Sequence, residues 1–195
     1  MIRLCDIFFS LLGLLVLSPL FLIVALWIVI DDPGPVFYRQ QRVGKDGKDF
    51  LLWKFRSMRT GADKGSLITV GEHDSRITRA GYYIRKYKLD ELPQLINVLV
   101  GEMSFVGPRP EVRKYVDLYT AEQRQVLSVR PGITDYASIE YIDENRLLSQ
   151  SGNPDKTYIE EIVPAKITLN RHYIDHQTIG EYMKIIFLTL RKIIH

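Results

Sequence analysis

Leu14-Leu15-Val16-Leu17-Ser18-Pro19-Leu20-Phe21-Leu22 lies within a run, Ile7 to Ile30, that carries no charged residue. The run covers 24 positions, against the ~20 that a straight helix needs to cross ~30 Å of hydrocarbon. Hydropathy alone reads it as a membrane span. It is longer than a signal-peptide core of about 7 to 15 residues and lacks a small-x-small cleavage site at its end, so it is expected to stay attached. Ser18-Pro19 complicates that picture. Pro19 has no N–H to give the Leu15 carbonyl and its ring crowds that carbonyl, while the Ser18 hydroxyl is expected to bond back to Leu14. The two legs are then roughly 11 and 13 residues, or ~16 and ~20 Å at 1.5 Å per residue, each too short to cross alone. Two geometries fit: a kinked spanning helix, the ordinary outcome of proline in an apolar helix, or a bent helix that enters one leaflet and returns to the same face. The flanking charges do not choose between them, since Arg3 precedes the run and Asp31-Asp32 follow it.

Working outward, Asp32-Pro33-Gly34-Pro35 is a breaker cluster that divides the chain into a membrane segment, 1–32, and a remainder, 33–195. A chain of 195 residues that is 46% hydrophobic can bury one core and carry one membrane element, which points to a single catalytic unit. The net charge of +3, in a chain that is 25% charged, fits an anionic partner without naming one. No nucleic acid is expected, because the cations form no single run and no zinc-finger, helix-turn-helix or RNP pattern accompanies them. The one cysteine, Cys5, excludes an intramolecular disulfide and a Cys-based zinc site, so a cytosol-facing protein is the default.

The remainder reads as α+β and mainly helical. Val36 to Gln40 and Phe50 to Phe55 read as a β-hairpin with Asp46-Gly47 in its turn. Thr60 to Asp74, rich in Gly, Asp, Ser and Thr, reads as a mobile loop near the site, and a helix is expected from Ser75 or Thr78 to Tyr87. Val112 to Val129 has helical composition; Asn145 to Lys156 reads as a polar loop; helix resumes from about Glu160 around Pro164. Glu181 to His195 reads equally well as an amphipathic helix at a lipid boundary or as a C-terminal helix on the core.

Two motifs carry chemistry. In Leu89-Asp90-Glu91-Leu92-Pro93-Gln94 two adjacent carboxylates supply a nucleophile or metal ligand with a second acid or base beside it, although Asp90 also reads as a plain helix N-cap and Glu91 as a first-turn acid. In Gly107-Pro108-Arg109-Pro110 the prolines hold an arginine whose planar fork suits phosphate. Lys54, Arg56, Arg85 and Lys88 are further candidate phosphate or headgroup contacts, each as readily explained as solvated charge.

These pieces occur together and in order in one family. With Ser18-Pro19, Pro33 to Tyr38, Lys54 to Met58, Arg76-Ile77-Thr78, Leu89 to Gln94, Asn97-Val98-Leu99, Met103 to Pro110 and Arg130 to Thr134, nearly the whole chain resembles the bacterial sugar transferases, the monotopic phosphoglycosyl transferases that move a sugar 1-phosphate from a nucleotide diphosphate sugar to polyprenyl phosphate. The resemblance implies that the Ser18-Pro19 break makes a re-entrant helix at the plasma membrane, with the catalytic domain on the cytoplasmic face and membrane lipid as a partner. It further implies a UDP-sugar donor, a polyprenyl (undecaprenyl-type) phosphate acceptor, release of UMP, Mg²⁺ as cofactor, Asp90 as covalent nucleophile and metal ligand, Glu91 as its dyad partner, and Arg109 between Pro108 and Pro110 as a phosphate-binding residue. Homodimerisation stays open.

The chain departs from the family pattern after Thr134, where it reads Asp135-Tyr136-Ala137-Ser138, and at Tyr182, where relatives often carry aspartate. These departures bear on sugar specificity and on peripheral contacts. Two other readings compete: a membrane-associated nucleotide-sugar pyrophosphatase in which water resolves the same attack, and a non-enzymatic membrane-anchored scaffold in which Asp90 only caps a helix.

Overall fold

A computed structural model of the chain describes residues 1–62 and 74–194. The apolar run forms two helices, α1 (Ile2–Val16) and α2 (Ser18–Asp31), bent by 60° at Leu17. Pro19 occupies the first turn of α2, where a missing N–H costs no intrahelical bond. The Ser18 hydroxyl donates to the Leu15 carbonyl at 2.8 Å, the carbonyl that proline orphans, rather than to Leu14 as the sequence suggested. Among the described residues no single helix is long and apolar enough to cross a membrane, whereas the bent pair passes that test together.

Each leg presents one side to the rest of the protein. Val24 and Ile28 of α2 are buried against Phe55, Ala80 and Ile84, and each such buried side chain contributes about 1.5–3 kcal/mol relative to exposure. Leu4, Phe8, Leu11, Leu12 and Leu15 of α1 and Leu22, Ile23, Leu26 and Ile30 of α2 remain exposed. So continuous an apolar surface marks a face made for lipid or a partner.

The hairpin forms as expected. β1 (Phe37–Val43) and β2 (Asp49–Phe55) pair antiparallel from Phe37 opposite Phe55 to Val43 opposite Asp49, and the turn places Asp46 and Gly47 at φ of 57° and 72°, the left-handed conformation that Asp-Gly tolerates. Phe50 and Leu52 point inward onto Val98 and Met103. Thr78 caps α3 (Arg79–Lys86), its hydroxyl accepting from the Gly81 N–H, close to the start read from the sequence. The loop expected over Thr60 to Asp74 lies mostly outside the described residues.

A second sheet was not legible in the sequence. After α4 (Gln94–Val100), β3 (Ser104–Val106) pairs in parallel with β4 (Gly132–Thr134), and the ladder continues past the strands, with the Gly107 N–H on the Thr134 carbonyl at 3.0 Å and the Gly132 N–H on the Pro108 carbonyl at 3.1 Å. The two backbones come too close for side chains. A Cβ at Gly107 would sit 2.3 Å from the Arg130 carbonyl oxygen, and one at Gly132 would sit 2.1 Å from the Gly107 nitrogen.

Three helical expectations are corrected. Val112 to Val129 gives only α5 (Arg113–Val116) and a 3₁₀ segment, Gln123–Ser128. The polar loop expected over Asn145 to Lys156 contains α7 (Glu144–Ser149) and α8 (Pro154–Thr157), the latter capped by the Asn153 side chain, after the short α6 (Tyr136–Glu140). Helix also resumes earlier than Glu160, since α8 runs through a π turn, Tyr158–Ile162, into α9 (Val163–Asp175), and Pro164 falls in the first turn of α9. α10 (Ile179–Ile194) buries Tyr182 and Ile185 on Val106 and Tyr173 while Met183, Phe187 and Leu190 stay exposed. The result is a mixed α+β fold with two small two-stranded sheets among the described residues.

Candidate active site

The Asp-Glu motif sits in a tight turn. Lys88, at φ 55°, swings the chain from α3 into a 3₁₀ turn, Leu89–Glu91, and Pro93 occupies the cap position of α4. Asp90 is therefore not the N-cap of that helix, a correction to the sequence reading. The turn puts the carboxylate inside the protein instead, with 7% of Asp90 exposed. Its one ion pair among the described residues is Lys54 of β2, with Nζ 3.9 Å from Oδ2, too long for a hydrogen bond.

Glu91 has the opposite surroundings. Its Oε1 accepts from Lys54 Nζ at 3.0 Å, Arg109 Nη1 donates to Oε2 at 3.2 Å, and Arg109 Nη2 donates to Oε1. This is a two-pronged guanidinium grip on one carboxylate. The pKa directions follow. Burial raises the Asp90 carboxyl above its ordinary value, with Lys54 working against it. Burial would raise Glu91 as well, but Arg109 and Lys54 outweigh it and hold the carboxyl well below the usual range, and Glu91 in turn raises the Arg109 guanidinium.

Arg109 reaches the pair because its turn is fastened on several sides. Pro108 and Pro110 are buried, and Arg42 Nη1 of β1 donates to the Pro110 carbonyl at 3.0 Å. The Arg109 N–H donates to Asp135 Oδ2 at 3.0 Å, and Asn170 Nδ2 of α9 donates to the same oxygen at 2.7 Å. The other Asp135 oxygen caps α6 by accepting from the Ser138 N–H at 2.5 Å. Sequence reasoning missed Asp135, Asn170 and Arg42 as supports; a local signal existed only for Asp135, a capping residue after a strand and before a helix.

Of the other sequence candidates, Lys54 joins the acids directly, and Arg85 of α3 contributes its charge to the field at Asp90. Lys88 is an exposed turn residue. Arg56 is elsewhere: it is buried, with Nη1 2.9 Å from both Asp32 Oδ2 and Thr60 Oγ1 and Nη2 on the Asp32 carbonyl, so it staples the exit of α2. Ser18 and Pro19 open α2 immediately after the bend at Leu17. A small cleft of about 30 Å³ borders the Arg109 turn and is lined in part by Tyr119, Asp135, Ser138, Lys166 and Asn170, with neither Asp90 nor Glu91 among its lining residues.

Among the described residues no group of three or more His, Cys, Asp or Glu is arranged to hold a metal ion. Of the acid pair, Glu91 is held by Lys54 and Arg109, which leaves Asp90, with Lys54 Nζ no closer than 3.9 Å, as the carboxylate free to take a ligand; Mg²⁺ commonly binds one or two carboxylates together with substrate phosphates.

A family model described as bacterial sugar transferase matches residues 1–195. A UDP-N-acetylgalactosamine-undecaprenyl-phosphate N-acetylgalactosaminephosphotransferase of Aeromonas hydrophila is 37% identical over 97% of the chain and 42% of its own length. A UDP-glucose:undecaprenyl-phosphate glucose-1-phosphate transferase of Escherichia coli K12 is 36% identical over 96% of the chain and 39% of its own length. An exopolysaccharide production protein of Rhizobium leguminosarum bv. phaseoli is 40% identical over 96% of the chain and 92% of its own length. The chain thus spans about two fifths of the first two relatives and nearly all of the third.

Proposed function

The chain belongs to the bacterial sugar transferase family, and on that premise we propose that it transfers a sugar 1-phosphate from a UDP-sugar to an undecaprenyl-type polyprenyl phosphate, releasing UMP and starting glycan assembly. The observation that carries this reading is the division of labour in the acid pair. Asp90 is buried, desolvated and hydrogen-bonded to nothing among the described residues, while its neighbour Glu91 is saturated by Lys54 and Arg109. A desolvated carboxylate beside fixed cations is an activated nucleophile facing a site for an anion.

In this reading a carboxylate oxygen of Asp90 attacks the sugar-bearing phosphorus, the bond to the bridging oxygen breaks, and UMP leaves with that electron pair. The phosphosugar stays on Asp90 until an oxygen of polyprenyl phosphate attacks the same phosphorus and returns the carboxylate. Lys54 and Arg109 compensate the phosphoryl charge, which in such transfers supplies most of the barrier reduction. The diphosphate competes with Glu91 for the Arg109 fork, so Glu91 holds both cations in place before donor arrives and takes them back afterwards. Mg²⁺, held by Asp90 with the donor's phosphates, would add charge neutralisation.

The bent α1–α2 pair is read as re-entrant at the plasma membrane, with both ends on the cytoplasmic face, supported by its exposed apolar side, its 60° break and legs of 15 and 14 residues, each short of the ~20 needed to span. The test is a panel of UDP-sugars with polyprenyl phosphate and Mg²⁺, scored by UMP release and lipid-linked product. Release that is indifferent to the lipid phosphate would convert the assignment to a pyrophosphatase. No release with any donor would leave a scaffold.

A further inference from the structure

Asp6 is a charged residue at the root of an apolar helix, and it is 1% exposed. Its Oδ1 accepts three hydrogen bonds from two distant segments: from the Ser104 hydroxyl at 2.9 Å and the Phe105 N–H at 3.1 Å, both on β3, and from the Tyr182 hydroxyl of α10 at 2.9 Å. One turn earlier, Arg3 donates to the Leu99 carbonyl at 2.7 Å and to the Val98 carbonyl, at the C-terminal end of α4, where a cation also complements the helix dipole. One turn later, the buried Ser10 hydroxyl turns back to the Asp6 carbonyl at 2.6 Å.

The partners matter because of what they carry. β3 leads directly into Gly107-Pro108-Arg109-Pro110, and α4 follows directly from Asp90-Glu91. We infer that Arg3 and Asp6 form a positioning clamp that seats the membrane helix pair against both catalytic segments at once, and so sets the height of Asp90 above the lipid surface from which the acceptor phosphate arrives. The inference rests on the membrane-acceptor reading. The geometry offers a reason for three donors on one carboxylate oxygen: a buried charge with that many bonds tolerates one register only, since sliding α1 by a turn would leave the charge unpaired. Tyr182 is fully buried and its hydroxyl supplies the third donor.

The test uses the full chain in nanodiscs of anionic and zwitterionic phospholipid. Tyr182→Phe deletes one donor and keeps the ring, and Asp6→Ala deletes the acceptor. The clamp predicts that the KM for polyprenyl phosphate rises about threefold in the first and about tenfold in the second while the KM for the UDP-sugar stays within about twofold. It also predicts faster maleimide labelling of Cys5, which precedes Asp6 in the chain and packs against the cluster that contains Tyr182, without a matching loss of Tm in Tyr182→Phe. Unchanged acceptor KM, or donor and acceptor constants that rise together, would overturn the clamp and leave Asp6 a purely structural group. Should Asp6→Ala fail to fold, Tyr182→Phe decides. If the unmodified protein shows no lipid-phosphate-dependent transfer, the transferase reading is what fails, and unaltered Cys5 labelling in Tyr182→Phe would then overturn the clamp separately.

Discussion

Asp6 and Asp90 are both buried carboxylates, 1% and 7% exposed, and the fold treats them in opposite ways. Asp6 accepts three hydrogen bonds on a single oxygen, so its charge is spent on holding α1, β3 and α10 together. Asp90 accepts none among the described residues and has one cation at 3.9 Å. Burial that is only partly offset by a cation at this distance raises the carboxyl of Asp90 above its ordinary value. Glu91 repeats the contrast within one turn of chain: it is the neighbour of Asp90 in sequence, yet Lys54 and Arg109 fill its hydrogen-bond shell, as three neutral donors do for Asp6. Burial alone therefore does not distinguish these acids; what sets Asp90 apart is that no residue among those described donates a hydrogen bond to its carboxylate.

The largest expected effect tests that distinction at Asp90. Asp90→Asn removes nucleophile and charge together, and transfer should fall by about 10³-fold or more. The same substitution should stabilise the protein by about 1 kcal/mol at neutral pH, measured by urea unfolding, because it relieves the buried charge. The folded-state pKa of Asp90 is raised, so the gain should vanish as pH drops below the unfolded carboxyl value and be complete above the folded one. A protein that is inactive and also destabilised would end the reading of Asp90 as an acid whose charge is disfavoured by burial.

Glu91→Gln should lose about 10²-fold in activity and destabilise by about 2 kcal/mol, below the ~3–5 kcal/mol of a wholly enclosed pair because Arg109 is a third exposed. Its pKa runs the other way: depressed in the fold, Glu91 contributes stability that is present above the unfolded carboxyl pKa and lost as pH falls through the folded one. Opposite pH dependences of stability in the two amide variants would sharpen the contrast, and parallel ones would dissolve it.

Arg109→Lys keeps the charge but not the fork, and turnover should fall about tenfold with a raised donor KM. A variant with unaltered kinetics would show that one point charge suffices. The smallest effect concerns pH. Activity should rise as pH climbs through the elevated pKa of Asp90, and Lys54→Met, which removes the nearest opposing charge, should move that acid limb to higher pH; an unmoved limb would assign it to another group.

How much of this was legible in the sequence differs from element to element, and the reason is range. The hairpin was readable because Asp46-Gly47 dictates its turn locally, and the break at Ser18-Pro19 because proline deletes a bond to a residue four positions away. α3 was legible to within a few residues of its start, and α10 by its amphipathic pattern. β3 and β4 did not: three residues each, far apart in the chain, they carry no period long enough to register, and their pairing rests on two glycines whose need appears only when the backbones meet. Arg56 looked like a phosphate ligand because an arginine's type does not reveal which carboxylate reaches it first, and Asp32 does.

Sequence by itself determined the chemistry on offer: an acid pair, a proline-held arginine, an apolar segment with a fault in its middle, and a pattern of motifs that names a family. Tertiary structure alone decided which of two adjacent acids is neutralised and which is left exposed to the reaction, because a hydrogen-bond shell is filled by Lys54 and Arg109, 37 and 18 positions away from Glu91. It also decided that Asp6, unremarkable beside a membrane run, answers to Tyr182 across 176 positions of chain. Local preferences extend over a few residues, whereas the electrostatic character of a carboxylate is set by whatever the fold brings within about 4 Å of it.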